Sequence, residues 1–252
     1  MRGIPLQRGI IYGPVRSRRI GRSLGINLLP TERKACALDC VYCQYGRTDV
    51  KTLSPQGDLL PSVEEVAAAL EEALRRMEDL DVITFSGNGE PTLHPEFPKI
   101  VAAALELRDR LAPGKPVGIL SSGAMVHLPE VRAALNRLDL QIMKLDAGDD
   151  QTFREINRPV AGLGLEGIVH GLQQLDRVIL QTLLVKGPRE NSSPEKVGGL
   201  IERIRAIRPQ EVQLYTLVRP PAEEDVAPVP REELEGIARR IRAETETVIK
   251  VY

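Results

Sequence analysis

The sequence predicts an α/β fold, a parallel sheet of six strands covered by helices, in a single unit over residues 1–252. Three observations carry that expectation. Segments of strand and helix character alternate along most of the chain. The strand segments are mostly runs of β-branched and apolar residues, as strands buried on both faces require. No composition break or flexible linker marks off a second unit. The core spans 12–218, with a connector, a helix and a short closing strand over 219–252.

The elements follow in order. SLGINLL (23–29) reads as the first strand and runs into a loop that holds the cysteines. PSVEEVAAALEEALRRMED (61–79) is a helix, with Ser62 and Glu65 placed for a capping box and Val63, Val66, Leu70, Ala73, Leu74 and Met77 on one face. The strand DVITFSG (81–87) precedes a helix over 95–111. The strand VGILSSG (117–123) precedes a helix near 129–137. LQIMKLD (140–146) is the fourth strand, followed by helical patterns at 149–156 and 164–175. VILQTLLV (178–185) leads to a helix near 194–207, and EVQLYTLV (211–218) is the sixth strand. RPPAEEDVAPVP (219–230) is an extended connector, EELEGIARRIRAE (232–244) a final helix, and VIKVY a short strand. An open doubly wound sheet and a partial or closed barrel both satisfy this pattern. In each, ligands sit at the carboxyl ends of the strands, where most of the unusual polar residues lie.

Composition bounds the function. Hydrophobic residues make up 42% and charged residues 27%, with no Trp, so aliphatic side chains must fill the core. No apolar run reaches the roughly 20 residues that span a bilayer, and the N-terminus has no signal-peptide core. The expectation is a cytoplasmic protein with no membrane contact. The net charge of −1 hides an asymmetry, because residues 1–53 carry ten Lys/Arg against three acids. Such a stretch is either a solvated face or the mouth of a site for an RNA or a small anionic substrate, lined by Arg16, Arg18, Arg19 and Arg22.

All three cysteines fall within KACALDCVYCQYGRT, as Cys36, Cys40 and Cys43 in a C-x3-C-x2-C array. A disulfide framework does not suit this spacing, and a metal does. Structural zinc sites close with four ligands, and no fourth is evident: His94, His127 and His170 lie far along the chain. Ferredoxin runs also supply four cysteines per cluster. Three thiolates on a four-iron cube leave one iron open to a cofactor.

The array with Tyr42 as its aromatic residue, directly after the first strand, resembles the signature of the radical S-adenosylmethionine (SAM) superfamily. The resemblance implies a partial (β/α) barrel and two cofactors, a [4Fe–4S] cluster on Cys36, Cys40 and Cys43, and SAM chelated to the open iron. It implies reductive cleavage of SAM to a 5′-deoxyadenosyl radical, which abstracts hydrogen from substrate, and a reductant partner such as flavodoxin or ferredoxin. FSGNGEPTLHPE (85–96) at the second strand end resembles the family's "GGE" turn for the SAM amino group, through Gly87, Asn88, Gly89 and Glu90. Asn88 stands where a glycine is usual. Ser122, Lys144, Asp146 and Gln181 are further SAM candidates. Lys144 and Asp146 share a face and equally suit an ion pair. Ser121, Gln213 and Tyr215 are weaker candidates, and His94 suits a turn-packing role. GPVRSRRIGRSLGINLLP (13–30) resembles short single-cluster proteins of unassigned activity grouped near the tRNA wyosine-synthesis enzymes. The alternatives are a glycyl-radical enzyme activase and a non-catalytic iron–sulfur or zinc-binding module.

Overall fold

In the computed structural model, residues 3–55, 60–77, 79–219, 221 and 223–252 are described. Arg2, Glu78 of the expected first helix, and Pro220 and Ala222 of the connector lie outside them. The chain opens with a hairpin in which the expected first strand, β2 (Gly21–Ile26), pairs antiparallel with a strand that was not expected, β1 (Ile11–Ser17). Its charged, glycine-broken sequence lacks the apolar alternation by which a strand is recognised. β3 (Ala35–Cys36) and β4 (Val50–Lys51) form a two-stranded ribbon that carries the first cysteine.

The remaining strands are β5 (Val82–Phe85), β6 (Val117–Ser121), β7 (Leu140–Lys144), β8 (Val178–Lys186), β9 (Glu211–Thr216), β10 (Ala227–Pro228) and β11 (Val248–Val251). The helices are α1 (Val63–Arg76), α2 (Phe97–Leu111), α3 (Pro129–Asn136), α4 (Asp150–Ile156), α5 (Leu165–Leu172), α6 (Pro194–Ile207) and α7 (Arg231–Thr245). The sheet path is β1-β2-β5-β6-β7-β8-β9-β11, with β10 on β8. The six expected strands are β2 and β5 to β9, all parallel. β1 extends one margin and the expected closing strand, now β11, pairs with β9 at the other, while the connector, expected to be extended only, adds β10. The path curls. Arg19, in the hairpin turn at one margin, lies 4.5 Å from the ring centroid of Tyr215 on β9 near the other. This is a partial barrel.

Local signals explain the helices. Ser62 and Glu65 close a reciprocal capping box on α1, a device stabilising by about 1 kcal/mol. Ser193 caps α6 with Pro194 in its first turn, and Asp149 caps α4. Alternation along the strands then sorts side chains. Phe85, Ile119 and Met143 face the helices and join Ile100, Leu135 and Ile204 in the main core. A separate apolar cluster packs Val41 and Tyr42 of the cysteine loop against Ile156 of α4, Leu183 and Val185 of β8, and Val226. Among the described residues, no helix is long and apolar enough to cross a membrane.

Candidate functional site

The cysteine loop is held from two sides. On one, the Asp39 N–H donates to the Asn157 carbonyl at 2.9 Å and the Val41 N–H to Ile156 at 3.0 Å, so the loop docks on the end of α4. Arg158 there takes φ +46°, an uncommon backbone for a side-chain-bearing residue. On the other side, Ala35 bridges Gly89 in a parallel arrangement. The approach requires glycine, because a Cβ on Gly89 would lie 1.7 Å from the Ala35 carbonyl oxygen. Gly87 takes φ +138° against the Asn27 side chain. Gly89→Ala is therefore expected to push the Cys36 strand away, costing about 1–3 kcal/mol and lowering iron per chain after reconstitution. Iron content equal to the parent would refute this.

The three thiols are free and half-buried. Burial, with the nearby Asp146 charge, pushes Cys40 up to about 11, and burial also raises Cys36. Such thiols ionise readily only against a cation. Lys34 lies close enough to act on them electrostatically. It is 3% exposed, and its ammonium donates to the Gly46 carbonyl at 2.8 Å. Burial works against its charge, but Cys43 and Cys36 outweigh that and hold the pKa up. No carboxylate ion-pairs with it among the described residues.

The Gly87–Glu90 turn is bound in place. The Glu90 carboxylate, 1% exposed, accepts from Thr92 N–H at 3.0 Å and Oγ1 at 2.6 Å, and from Ser121 Oγ at 2.8 Å. Its other oxygen accepts from the Ser122 N–H and hydroxyl. Asn88 turns away: its amide donates to the Gln7 and Pro30 carbonyls, both at 2.9 Å, and its oxygen accepts from the Gln7 N–H at 2.7 Å. The residue replacing the usual glycine thus ties the N-terminal segment to the turn, and its side chain is fully used. His94 packs the same turn as the neutral imidazole, its Nδ1 accepting from the Glu96 N–H at 3.1 Å and Nε2 facing the Pro61 carbonyl at 2.9 Å.

Below the loop, Asp146 organises the barrel floor. One oxygen pairs with Lys144 Nζ at 3.1 Å and accepts from the Leu183 N–H at 2.8 Å. The other accepts from the Tyr42 hydroxyl and from Asn157 Nδ2 at 2.8 Å. Asn157 Nδ2 also approaches Cys40 Sγ at 3.4 Å, so one asparagine joins a thiol, the aromatic of the array and the buried carboxylate. Lys144 stands 4.8 Å from the Tyr42 ring centroid and donates to the Tyr215 hydroxyl at 3.1 Å, which donates on to Gln181 Oε1 at 3.0 Å. Asp146 and Tyr215 hold the Lys144 ammonium charged, its pKa raised despite burial. A small cleft is lined by Ser122, Lys144, Asp146 and Asn157.

The structure thus gathers Tyr42, Lys144, Asp146 and Gln181 into one network and Glu90 with Ser122 into a second, beside the three cysteines. Sequence reasoning missed Asn157, Asn27 and Lys34. The asparagines act across long sequence separations and leave no local pattern. Lys34 had a signal, a cation two residues before the first cysteine.

Among the described residues, three buried side-chain polar atoms have no partner: Asn157 Oδ1, Gln181 Nε2 and Gln213 Oε1. The large majority of such atoms are normally satisfied, and the first two belong to residues of this network. No three His, Cys, Asp or Glu groups among the described residues converge on a single-ion site. A tetrahedral zinc draws its sulfurs to within about 4 Å of one another. A four-iron cube is wider and suits thiols spread along a loop. With the glycine cradle and the Lys34 counter-charge, the residues fit such a group.

The Radical SAM superfamily model matches residues 34–195. The chain is 34% identical to a UPF0026 protein of Methanocaldococcus jannaschii, over 87% of this chain and 67% of that one. It is 33% identical to a protein named GTPase Obg from Brachyspira hyodysenteriae, over 96% of this chain but only 35% of that protein. Streptococcus suis SuiB, solved bound to S-adenosylmethionine, shares the fold at 12% identity and a TM-score of 0.63, over 90% of this chain and 50% of that one. With its family model covering most of the chain and a relative matched over two thirds of its length, this protein belongs to the radical SAM superfamily, whose members bind a [4Fe–4S] cluster and S-adenosylmethionine.

Proposed function

We propose that Cys36, Cys40 and Cys43 hold a [4Fe–4S] cluster and that the protein uses it to cleave SAM reductively and start hydrogen abstraction from a substrate in the barrel. The observation that carries this reading is the juxtaposition of three thiols in one loop with the Gly87–Glu90 turn, bridged by Ala35 and Gly89. When bound, the cluster would supply one electron to the sulfonium of SAM, breaking a carbon–sulfur bond to give methionine and a 5′-deoxyadenosyl radical.

The chain's own residues would bind and orient. Gly89 lets the backbone of its turn approach the Cys36 strand without side-chain obstruction. Glu90, fixed by Thr92, Ser121 and Ser122, places negative charge beside the SAM ammonium. Tyr42, locked by Asp146 and Asn157, offers its ring beneath the loop. Ser122, Lys144, Asp146 and Gln181 form the polar floor for the nucleoside. A reduced flavodoxin or ferredoxin in the cytoplasm would deliver the electron.

Lys34 tunes the site in this reading. A buried ammonium without a carboxylate partner is costly unless another anion offsets it, and the cluster with its three thiolates is that anion. Lys34→Met is expected to shift the cluster's midpoint potential to more negative values, because the lost positive charge favoured the reduced state. A redox titration followed by electron paramagnetic resonance reads this, and an unchanged potential would contradict it.

The test of the function is direct. The protein is reconstituted anaerobically with iron and sulfide, reduced and given SAM, and 5′-deoxyadenosine is measured. Product that depends on both iron and reductant supports the reading. Zinc near one per chain, with neither SAM binding nor product, would replace it with a metal-binding module.

A further inference from the structure

Resting on that reading, we infer that the barrel interior beneath the SAM site binds a small anionic molecule, through a carboxylate or phosphate group received by Arg19. The hairpin arginines divide into distinct roles. Arg22 is taken by Asp79, while Arg16 and Arg18 are exposed to solvent. Arg19 is half-buried, has no ion-pairing carboxylate among the described residues, and lies over the Tyr215 ring at 4.5 Å. That contact carries its guanidinium across the gap between the sheet's margins.

Tyr215 in turn belongs to a polar group that is incompletely satisfied. Lys144, Gln181 and Gln213 are Cα partners in one row across β7, β8 and β9, so their side chains leave the sheet on the same face. Gln181 is 8% exposed and its Nε2 donor is unpaired; Gln213 is 3% exposed and its Oε1 acceptor is unpaired. Tyr215 links the parts, its ring under Arg19 and its hydroxyl on Gln181 and Lys144. Lys144 is neutralised by Asp146 at 3.1 Å, whereas Arg19, on the Tyr215 ring, has no such partner among the described residues.

A guanidinium receives a carboxylate or phosphate through a fork of parallel donors. The unpaired Gln181 donor adds a further contact, and the Gln213 acceptor suits a hydroxyl or amine on the same molecule. Residues flanking an unpaired donor and acceptor beside an uncompensated cation inside a barrel describe a substrate pocket. An RNA backbone held on the outer surface would instead use Arg16 and Arg18.

Calorimetry on the reconstituted, SAM-bound full chain tests this with two probes, inorganic phosphate and malonate. One of them is expected to bind, and which one distinguishes a phosphate ester from a carboxylate as the natural group. Arg19→Gln is expected to weaken that binding at least tenfold, while Arg16→Gln and Arg18→Gln leave it within twofold. Iron content and SAM affinity, measured on the same samples, should be unchanged in all three. Binding of neither probe, equal binding by Arg19→Gln, or loss only in the Arg16 and Arg18 variants would overturn the proposal. Arg19-dependent binding in a chain that takes up neither iron nor SAM would retain the pocket and reject the catalytic reading.

Discussion

Cys40→Ala is expected to reduce 5′-deoxyadenosine formation to the background seen without protein, with iron per chain falling sharply after reconstitution. In the proposed reading, two thiolates cannot take the place of the three that would hold the cluster and leave one iron open. Cys40 is the most informative of the three, because Asn157 Nδ2 reaches its sulfur at 3.4 Å and ties it to the Asp146 network. The substitution is otherwise mild. The residue is half-buried and alanine leaves a small void, so stability should change by about 1 kcal/mol or less. A folded variant without product separates loss of the cluster from loss of the fold. Full activity in Cys40→Ala would remove the cluster from its assigned ligands.

Asp146→Ala carries the largest expected cost in stability, about 3–5 kcal/mol, because it strips the partner from a buried charge. Lys144 would keep its ammonium beside Tyr215 and the Tyr42 ring but with no anion to pair it, and the buried Leu183 N–H, the Tyr42 hydroxyl and the Asn157 amide would each lose an acceptor. In a chain of this size that corresponds to a fall in Tm on the order of 10 °C. Asp146→Asn, which keeps an acceptor and the volume, should lose less. Adding Lys144→Met to Asp146→Ala should recover part of the loss, since removing both charges avoids the uncompensated one. Denaturant unfolding of these three variants and the parent reads the comparison. A double variant no more stable than Asp146→Ala would show that the pair's worth lies in its hydrogen bonds, not its charges.

The relation between sequence and structure is uneven for physical reasons. The six parallel strands and their helices were legible because apolar runs and amphipathic periods are local. The α6 segment, with Ser193 and Pro194 at its start, matched at both ends. The strand β1 was not legible, since its pairing is satisfied by backbone and its sequence, broken by Gly13 and Pro14, shows no apolar alternation. Lys144 and Asp146 were legible as costly burials on one face, and the ion pair between them is present. That Asn88 would be consumed by Gln7 and Pro30 was not, because those partners lie about 81 and 58 residues away.

The sequence by itself determined the chemistry on offer: one loop with every cysteine, an aromatic within it, a glycine-rich turn ending in a carboxylate, and strands that must be covered on both faces. Adjacent residues and strict periods encode such features, so no knowledge of the fold is needed to read them. The tertiary structure alone decided which groups meet. It brought Gly89 against Ala35, joined Asn157 to Cys40 and Asp146, and set Arg19 over Tyr215. Those contacts follow from the curl of the sheet, which is fixed by packing over the whole chain and leaves no local mark.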